Sequence, residues 1–501
     1  MNDLDGVLAG LSSLFQLQTL LSCFSGVFLG TLIGVLPGVG PLAALSLLLP
    51  LTYYMDPGAA LIFLSGVYYG TQYGGAITSI LLNIPGTATS AVTCIDGGPM
   101  AKAGRAHQAL TAALTASFVG SMIGIAVILL FAPLLAVVGF MFGPSEYFAA
   151  LLLGLIASAS VGGSSALKNI AMAVLGVLLG VIGLDVNSGI PRFSFGVHEL
   201  YNGLSIVALA MGLFGITEVM GNINLSRLSS SAADLSARTS RFWANTWPLI
   251  YRPILRGSAI GAFFGTLPGT GPGISSFMAY AFEKKVANEP DRFGHGAIEG
   301  VAAPEAANNS AAMTAFIPTL MLGIPGEVVM SLLLGAMIIH GLQPGPMLAT
   351  THPDIFWGLI FSFGLGNVLL LAMNLPLLRV WAALLKVPFN LLYPMIVVLI
   401  CIGSYSVGYS TFDLYVVAAT GVIGYWLVKA DFSPAPLLLG FVLGPMVEEN
   451  FRRAMLMARG DLIQMASGPI TAGFLLCSAG LLFFTIRAEL TGRRAAALAE
   501  K

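Results

Sequence analysis

Long uncharged runs alternate along the chain with short polar connections. A helix needs about 20 apolar residues to cross a hydrocarbon core of roughly 30 Å. Read at that length, with Pro and Gly clusters as cuts, the first half holds Leu17 to Tyr54 broken near Pro37, Gly58 to Cys94 broken at Pro85, and Gln108 to Ser145 broken near Pro133. Tyr147 to Leu167, Asn169 to Leu184 and Leu200 to Thr217 follow, then the only long polar stretch, Asn222 to Arg256. The second half has Gly257 to Phe282, Ala306 to His352 broken at Pro325, Ile355 to Leu378, Val387 to Phe412, Leu414 to Val428, Phe432 to Val447 and Leu462 to Ile486. The pattern predicts an all-α polytopic membrane protein with about 12 membrane segments.

The two halves are copies. At a shift of 231 residues, Gly26, Gly30, Gly34, Leu36, Pro37, Gly38, Gly40 and Pro41 match Gly257, Gly261, Gly265, Leu267, Pro268, Gly269, Gly271 and Pro272, 8 identities in 16 positions. At a shift of 240, Leu82 to Gly86 (LNIPG) matches Leu322 to Gly326 (LGIPG). Equivalent loops carry opposite charge signals. Tyr53 to Pro57 has no Lys or Arg while its partner holds Lys284, Lys285 and Arg292; Gly97 to His107 has Lys102 and Arg105 while Gly341 to Asp354 has none. Because Lys and Arg concentrate on the cytoplasmic side, the copies are expected to be inverted: repeat 1 over residues 1–221, a cytoplasmic linker over 222–256 and repeat 2 over 257–501. Gly257 to Phe282 then has both flanks on the cytoplasmic side, which makes it a re-entrant hairpin turning at Leu267 to Pro272. Its counterpart turning at Pro37 enters from the opposite face. Residues 1–16 are expected to form an interfacial helix whose side the charge rule leaves open, since the first basic residue is Lys102.

Composition narrows the partners. Of 501 residues 56% are hydrophobic and 9% charged, against roughly 25% charged in soluble domains, so the bilayer is the solvent. A net charge of −1 offers no basic stripe for nucleic acid. Cys23, Cys94, Cys401 and Cys477 stand apart without metal-ligand spacing and read as small buried hydrophobes. The N-terminus, with Asp3 and Asp5, lacks the positive region of a cleavable signal peptide, and the chain reads as an inner-membrane protein.

The breaks carry the candidate chemistry. Backbone at membrane depth must satisfy its own hydrogen bonds, so Pro-Gly interruptions are tolerated only inside protein or beside a water-filled cavity. A helix interrupted at Pro37, Gly38, Val39 and Gly40, or at Pro268, Gly269, Thr270 and Gly271, offers N–H groups that attract anions and carbonyls that coordinate Na+. A lone break is as well explained as a kink; corresponding breaks in two copies are the pattern of secondary transporters. Polar residues around the breaks extend the candidate substrate and ion site to Asn83, Gly86, Thr87, Ser275, Asn308, Asn309, Ser310, Pro325 and Gly326, with Na+ a possible occupant of the same hairpin tips. The competing role for these hydroxyls and amides is to hold neighbouring helices together, and the glycine rows read as close-packing faces. With every Lys and Arg in a predicted loop or at a span end, a carboxylate substrate would be neutralised by helix N-termini, hydroxyls and co-bound Na+ or H+. Glu305 and Glu327 each follow a proline, at expected helix starts. No cofactor is expected beyond the coupling ion.

The paired Gly-x-x-x-Gly-x-Leu-Pro-Gly-x-Gly-Pro motifs at Gly30 to Pro41 and Gly261 to Pro272 resemble those of the large membrane subunit of the bacterial tripartite tricarboxylate transporters. So do Tyr68-Tyr69-Gly70-Thr71-Gln72-Tyr73-Gly74-Gly75 leading to Asn83-Ile84-Pro85-Gly86, and Ala303-Pro304-Glu305-Ala306-Ala307-Asn308-Asn309. The resemblance spans nearly the whole chain. It implies a permease in the bacterial inner membrane, partnered by a small four-span membrane subunit and a periplasmic substrate-binding protein. It further implies import of citrate or a related carboxylate on a Na+ or H+ gradient; analogy with other inverted-repeat carriers adds an elevator motion. A carboxylate channel, or an exporter without a binding protein, is the alternative. An intramembrane protease is disfavoured, because H-E-x-x-H is absent and the Asp residues read as loop or span-end residues.

Overall fold

The structure is a computed structural model that describes residues 3–139, 141–160, 165–185, 188–222, 246–385 and 389–499. Among the described residues its regular structure is helical apart from one antiparallel pair, β1 (Gly183–Leu184) and β2 (Pro191–Arg192). Five stretches among the described residues are long and apolar enough to cross a membrane: Leu17–Gly34, Ala88–Phe131, Pro353–Leu384, Thr411–Lys429 and Pro469–Arg487.

The chain packs as two units. The first, residues 1–136 and 218–403, takes the leading part of each sequence copy. From the first copy it contains α1 (Asp3–Leu14), α2 (Leu17–Gly34), α3 (Pro41–Thr52), α4 (Pro57–Leu82), a 3₁₀ turn at Ala88–Ser90, α5 (Ala91–Met100) and most of α6 (Ala106–Gly139). The second unit, residues 137–217 and 404–501, holds α7 (Pro144–Ser160), α8 (Ala166–Gly180), the β pair and α9 (Ile206–Ala210), from which a π-helical turn leads to α10 (Thr217–Asn222). From the second copy, the first unit takes α11 (Trp247–Thr266), α12 (Gly271–Val286), α13 (Glu299–Thr314), α14 (Phe316–Leu322), α15 (Val328–Ile339), α16 (Pro346–Thr351), α17 (Pro353–Leu384) and most of α18 (Phe389–Gly408). Helices α19 (Thr411–Lys429), α20 (Pro434–Met457), α21 (Leu462–Ala466) and α22 (Pro469–Ala499) complete the second unit.

The glycine rows act through packing. A Cβ on Gly26, Gly30 or Gly34 of α2 would lie 2.3, 2.4 or 2.6 Å from the carbonyl oxygens of Phe63, Val67 or Thr71 on α4. In the second copy, Gly257, Gly261 and Gly265 of α11 meet Ala303, Ala307 and Ala311 of α13 at 2.2, 2.3 and 2.5 Å. Each pair of partners is related by the shifts that relate the sequences, so the duplication extends to how backbones nest. Small residues allow such approach where there is no hydrophobic drive between helices. The second unit uses the same device, Gly176 and Gly180 of α8 resting on the carbonyls of Leu437 and Phe441 in α20.

Four expectations change. Helix α6 runs without a break through position 133. Pro304 lies inside α13, which starts at Glu299, so Glu305 is not at a helix start; neighbouring helices satisfy backbone that Pro frees in a membrane helix. Helix α11 begins at Trp247, within the stretch read as linker, and places Arg256 inside a helix rather than in a loop. There Arg256 makes a two-point ion pair with buried Glu283 of α12, Nε donating over 2.9 Å. Finally, Asp96 is fully buried inside α5 rather than in a loop or at a helix end. Residues 223–245 of the linker lie outside the described residues.

Candidate functional site

Both Gly-Pro breaks lie in the first unit. Helix α2 ends at Gly34 and α3 starts at Pro41; α11 ends at Thr266 and α12 starts at Gly271. The turns share a backbone solution, Gly38 having φ 84° and Gly269 φ 83°, a left-handed conformation that costs glycine nothing. The Ile-Pro-Gly breaks correspond too. Asn83 (φ 56°) ends α4 and Gly323 (φ 68°) ends α14, both left-handed, a conformation Asn tolerates better than most side chains. After each, the Gly N–H donates to a hydroxyl seven residues back, in the preceding helix: Gly86 to Ser79 Oγ and Gly326 to Thr319 Oγ1, both over 3.1 Å.

In the second copy the two breaks join. The Gly269 N–H donates to the Gly326 carbonyl over 2.8 Å, and a Cβ at Gly271 would stand 2.9 Å from the Cβ of Glu327. Thr270 closes its own turn, its hydroxyl donating to the Leu267 carbonyl over 2.9 Å, while buried Pro325 completes the facing segment. Half-buried Glu327 receives a hydrogen bond from the Tyr68 hydroxyl on α4, so a tip of one copy is tied to the other copy. The 3₁₀ turn at Ala88–Ser90 likewise packs on α12.

The first tip is less connected. Pro37 and Val39 are buried and Gly38 and Gly40 half-buried, the Val39 N–H donating to Leu36 over 3.2 Å. Thr78 donates to the Val35 carbonyl over 2.6 Å, which occupies a carbonyl at the end of α2. Asn83 is exposed, and the Gly98 Cα approaches its side chain so closely that no Cβ fits between; its position is explained by the helix end. Gly86 lies against the Gly75 backbone. Thr87 caps the 3₁₀ turn in a reciprocal box with Ser90.

Helix starts at three of the four breaks, Gly40 for α3, Thr270 for α12 and Glu327 for α15, have no side-chain cap. No side-chain cap is bonded to their first-turn N–H groups, the groups through which helix starts hold anions. Among the remaining candidates, Ser275 donates to Pro272 over 2.9 Å and approaches the Ala307 carbonyl at 3.4 Å. Ser310 donates to the Ser258 carbonyl over 2.9 Å. Both tie α13 to its neighbours. Asn309 donates to the Glu305 carbonyl over 3.0 Å, leaving its own oxygen without a partner. Asn308 lies beside the Glu305 carboxyl, yet neither atom of its buried amide meets hydrogen-bond geometry.

Sequence reading missed several polar groups here. Thr93 of α5 and Ser117 of α6 donate to the buried Glu305 carboxylate, the second over 3.3 Å. Asp96 accepts at one oxygen from the N–H groups of Gly294, Gly296 and Ala297, over 2.9, 2.8 and 2.8 Å, and at the other from Tyr280 over 2.9 Å. The one available signal was an acid set among small apolar residues at Ala302 to Ala307; the partners are too distant in sequence to be inferred.

Five helices long and apolar enough to cross a membrane, with breaks at corresponding points of the two sequence copies, define a membrane protein. The profile of the Tripartite tricarboxylate transporter TctA family matches residues 20–439, and the chain belongs to that family. It is thus a component of a membrane transporter, and the family is not an enzyme family. The chain is 45% identical over 475 residues to a protein of Agrobacterium vitis described as an uncharacterized 52.8 kDa protein in the TAR-I ttuC' 3' region, covering 94% of each chain. A second A. vitis protein, from the TAR-II ttuC' 3' region, is 49% identical over 215 residues, 43% of this chain and 89% of that protein. No solved structure matches.

Proposed function

We propose that the chain is the large permease subunit of a binding-protein-dependent secondary transporter. It imports citrate or a related carboxylate across the bacterial inner membrane on a Na+ or H+ gradient. A small four-span membrane subunit and a periplasmic binding protein are its partners; the family's tripartite character supports partner subunits in general. The observation that carries this reading is the recurrence, in both copies, of a left-handed glycine turn followed by an uncapped helix start. Such starts present peptide N–H groups and the positive end of a helix dipole, which suits a carboxylate where no Lys or Arg side chain is needed.

The substrate carboxylates sit at the starts of α3 and α12, with Gly38, Gly40, Gly269 and Gly271 letting backbone approach the ligand. Inverted repeats make the two tips face opposite sides of the membrane, and an elevator movement exposes the site to each in turn. The test is thermal stabilisation of the full chain with its partner subunits against a panel of mono-, di- and tricarboxylates. A carboxylate that raises the melting temperature of wild type, but not of Gly269→Leu, supports the reading; indifference to every carboxylate refutes it.

A further inference from the structure

Among its described residues the first unit contains three fully or nearly fully buried acids, and two are compensated. Asp96 (0% exposed) has three N–H donors and a phenol, and Glu283 (3%) has the Arg256 guanidinium. Glu305 (0%) has two hydroxyls, from Thr93 and Ser117, and no ion-pair partner among the described residues. A buried carboxylate in low dielectric needs a full set of hydrogen-bond donors, a proton, a basic partner or a bound cation, and two hydroxyls are fewer donors than the four that hold Asp96. One turn further along α13, the Asn308 amide is buried to 1% exposure and lies beside this carboxyl, and neither of its atoms meets hydrogen-bond geometry with a partner among the described residues. Among the described residues, the other ionisable groups facing Glu305 are the Tyr73 phenol of α4 and the Cys94 thiol of α5, neither of which supplies positive charge.

We infer that Glu305, Asn308, Thr93 and Ser117 form a Na+ site between α13, α5 and α6. The donor set is all oxygen: both carboxylate oxygens, two hydroxyls and the Asn308 carbonyl oxygen. Hard cations take such ligands. One carboxylate matches one positive charge, which selects a monovalent ion over Ca2+ or Mg2+. The hydroxyls that donate to the carboxylate turn their lone pairs to the ion when it binds. This deepens the transport reading, on which it rests for the ion's coupling role; ion binding itself does not depend on it.

The test uses the purified full chain in detergent without carboxylate, with NaCl exchanged for choline chloride at constant ionic strength. Radioactive Na+ binding and thermal melting are followed together. Wild type should bind Na+ saturably and melt higher in it; Glu305→Gln should abolish both responses, and Asn308→Ala should raise the half-saturating concentration about tenfold or more. Should Glu305→Gln fail to fold, Thr93→Val and Ser117→Ala carry the test, each weakening Na+ binding. Wild type indifferent to Na+, or folded variants with wild-type half-saturation, overturns the site. A melting temperature that follows pH but not Na+, and loses that response in Glu305→Gln, overturns Na+ in favour of a proton. Failure here with gradient-driven uptake intact condemns only this site; Na+ binding with no uptake of any carboxylate condemns only the transport reading.

Discussion

Replacing Asp96 with Ala is expected to loosen the join between the two sequence copies. The Asp96 carboxylate reaches from α5 to residues 294–297, just before α13, and holds Gly294, Gly296 and Ala297 by their N–H groups. Gly296 and Ala297 are buried and Gly294 is half-buried, so water can replace the acceptor for Gly294 and not for the other two. Each buried donor left unpaired costs about 1–3 kcal/mol, giving roughly 2–6 kcal/mol for Asp96→Ala. Asp96→Asn keeps an acceptor for the N–H groups and turns its amide toward Tyr280, whose oxygen can accept. It loses only the charge assistance, which roughly doubles such bonds, and should cost about 1–2 kcal/mol. At about 2 °C per kcal/mol, the apparent melting temperature in detergent should fall by about 4–12 °C for Ala and by about 2–4 °C for Asn. Fluorescence-detected melting of both variants at equal detergent and salt decides it. The reasoning is refuted if Asp96→Ala melts with wild type, or if Asn costs more than Ala.

Three other expectations follow from the packing and the charge pattern. Single cysteines at Lys284 and Thr350, both exposed, should react with an impermeant thiol reagent from opposite sides, Lys284 and Lys102 from the cytoplasm and Met55 and Thr350 from outside; reaction of 284 and 350 from one side ends the inverted-repeat proposal. Gly261→Ala, whose Cβ would meet the Ala307 carbonyl at 2.3 Å, should lower stability by about 1–3 kcal/mol, whereas Gly273→Ala, which meets nothing within 4 Å, should not; equal melting of the two variants contradicts the close-packing account. Gly269→Leu should reach the membrane in normal amounts and lose transport, because it strains a left-handed turn and fills space beside the ligand; wild-type uptake by that variant removes the tips from the site.

Features set by local backbone demands were legible in the sequence. Gly38 and Gly269 stand where a left-handed turn needs glycine, and Gly26 to Gly34 with Gly257 to Gly265 stand where two backbones nest; both demands leave a residue-type signature at fixed spacing. Pro133 and Pro304 misled because proline marks a helix end only where nothing else satisfies the freed carbonyl, and in both places the helix continues. Polar contacts between distant segments left no signature at all. Asp96 finds its donors 184 to 201 residues away, and Glu327 finds Tyr68 at a separation of 259. Asn308 and Asn309 stood out as adjacent amides, but only the fold separates Asn309, half-satisfied by its own helix, from Asn308, neither of whose amide atoms meets hydrogen-bond geometry among the described residues.

Carboxylate uptake into proteoliposomes tests the central claim most directly. The full chain, reconstituted with its partner membrane subunit and supplied with the binding protein, is given radiolabelled carboxylates under an imposed Na+ or H+ gradient. The account predicts saturable uptake against a concentration gradient that stops when the ion gradient is collapsed and when the binding protein is omitted. Flux that is unsaturable, indifferent to the ion gradient and independent of the binding protein would identify a channel and contradict it.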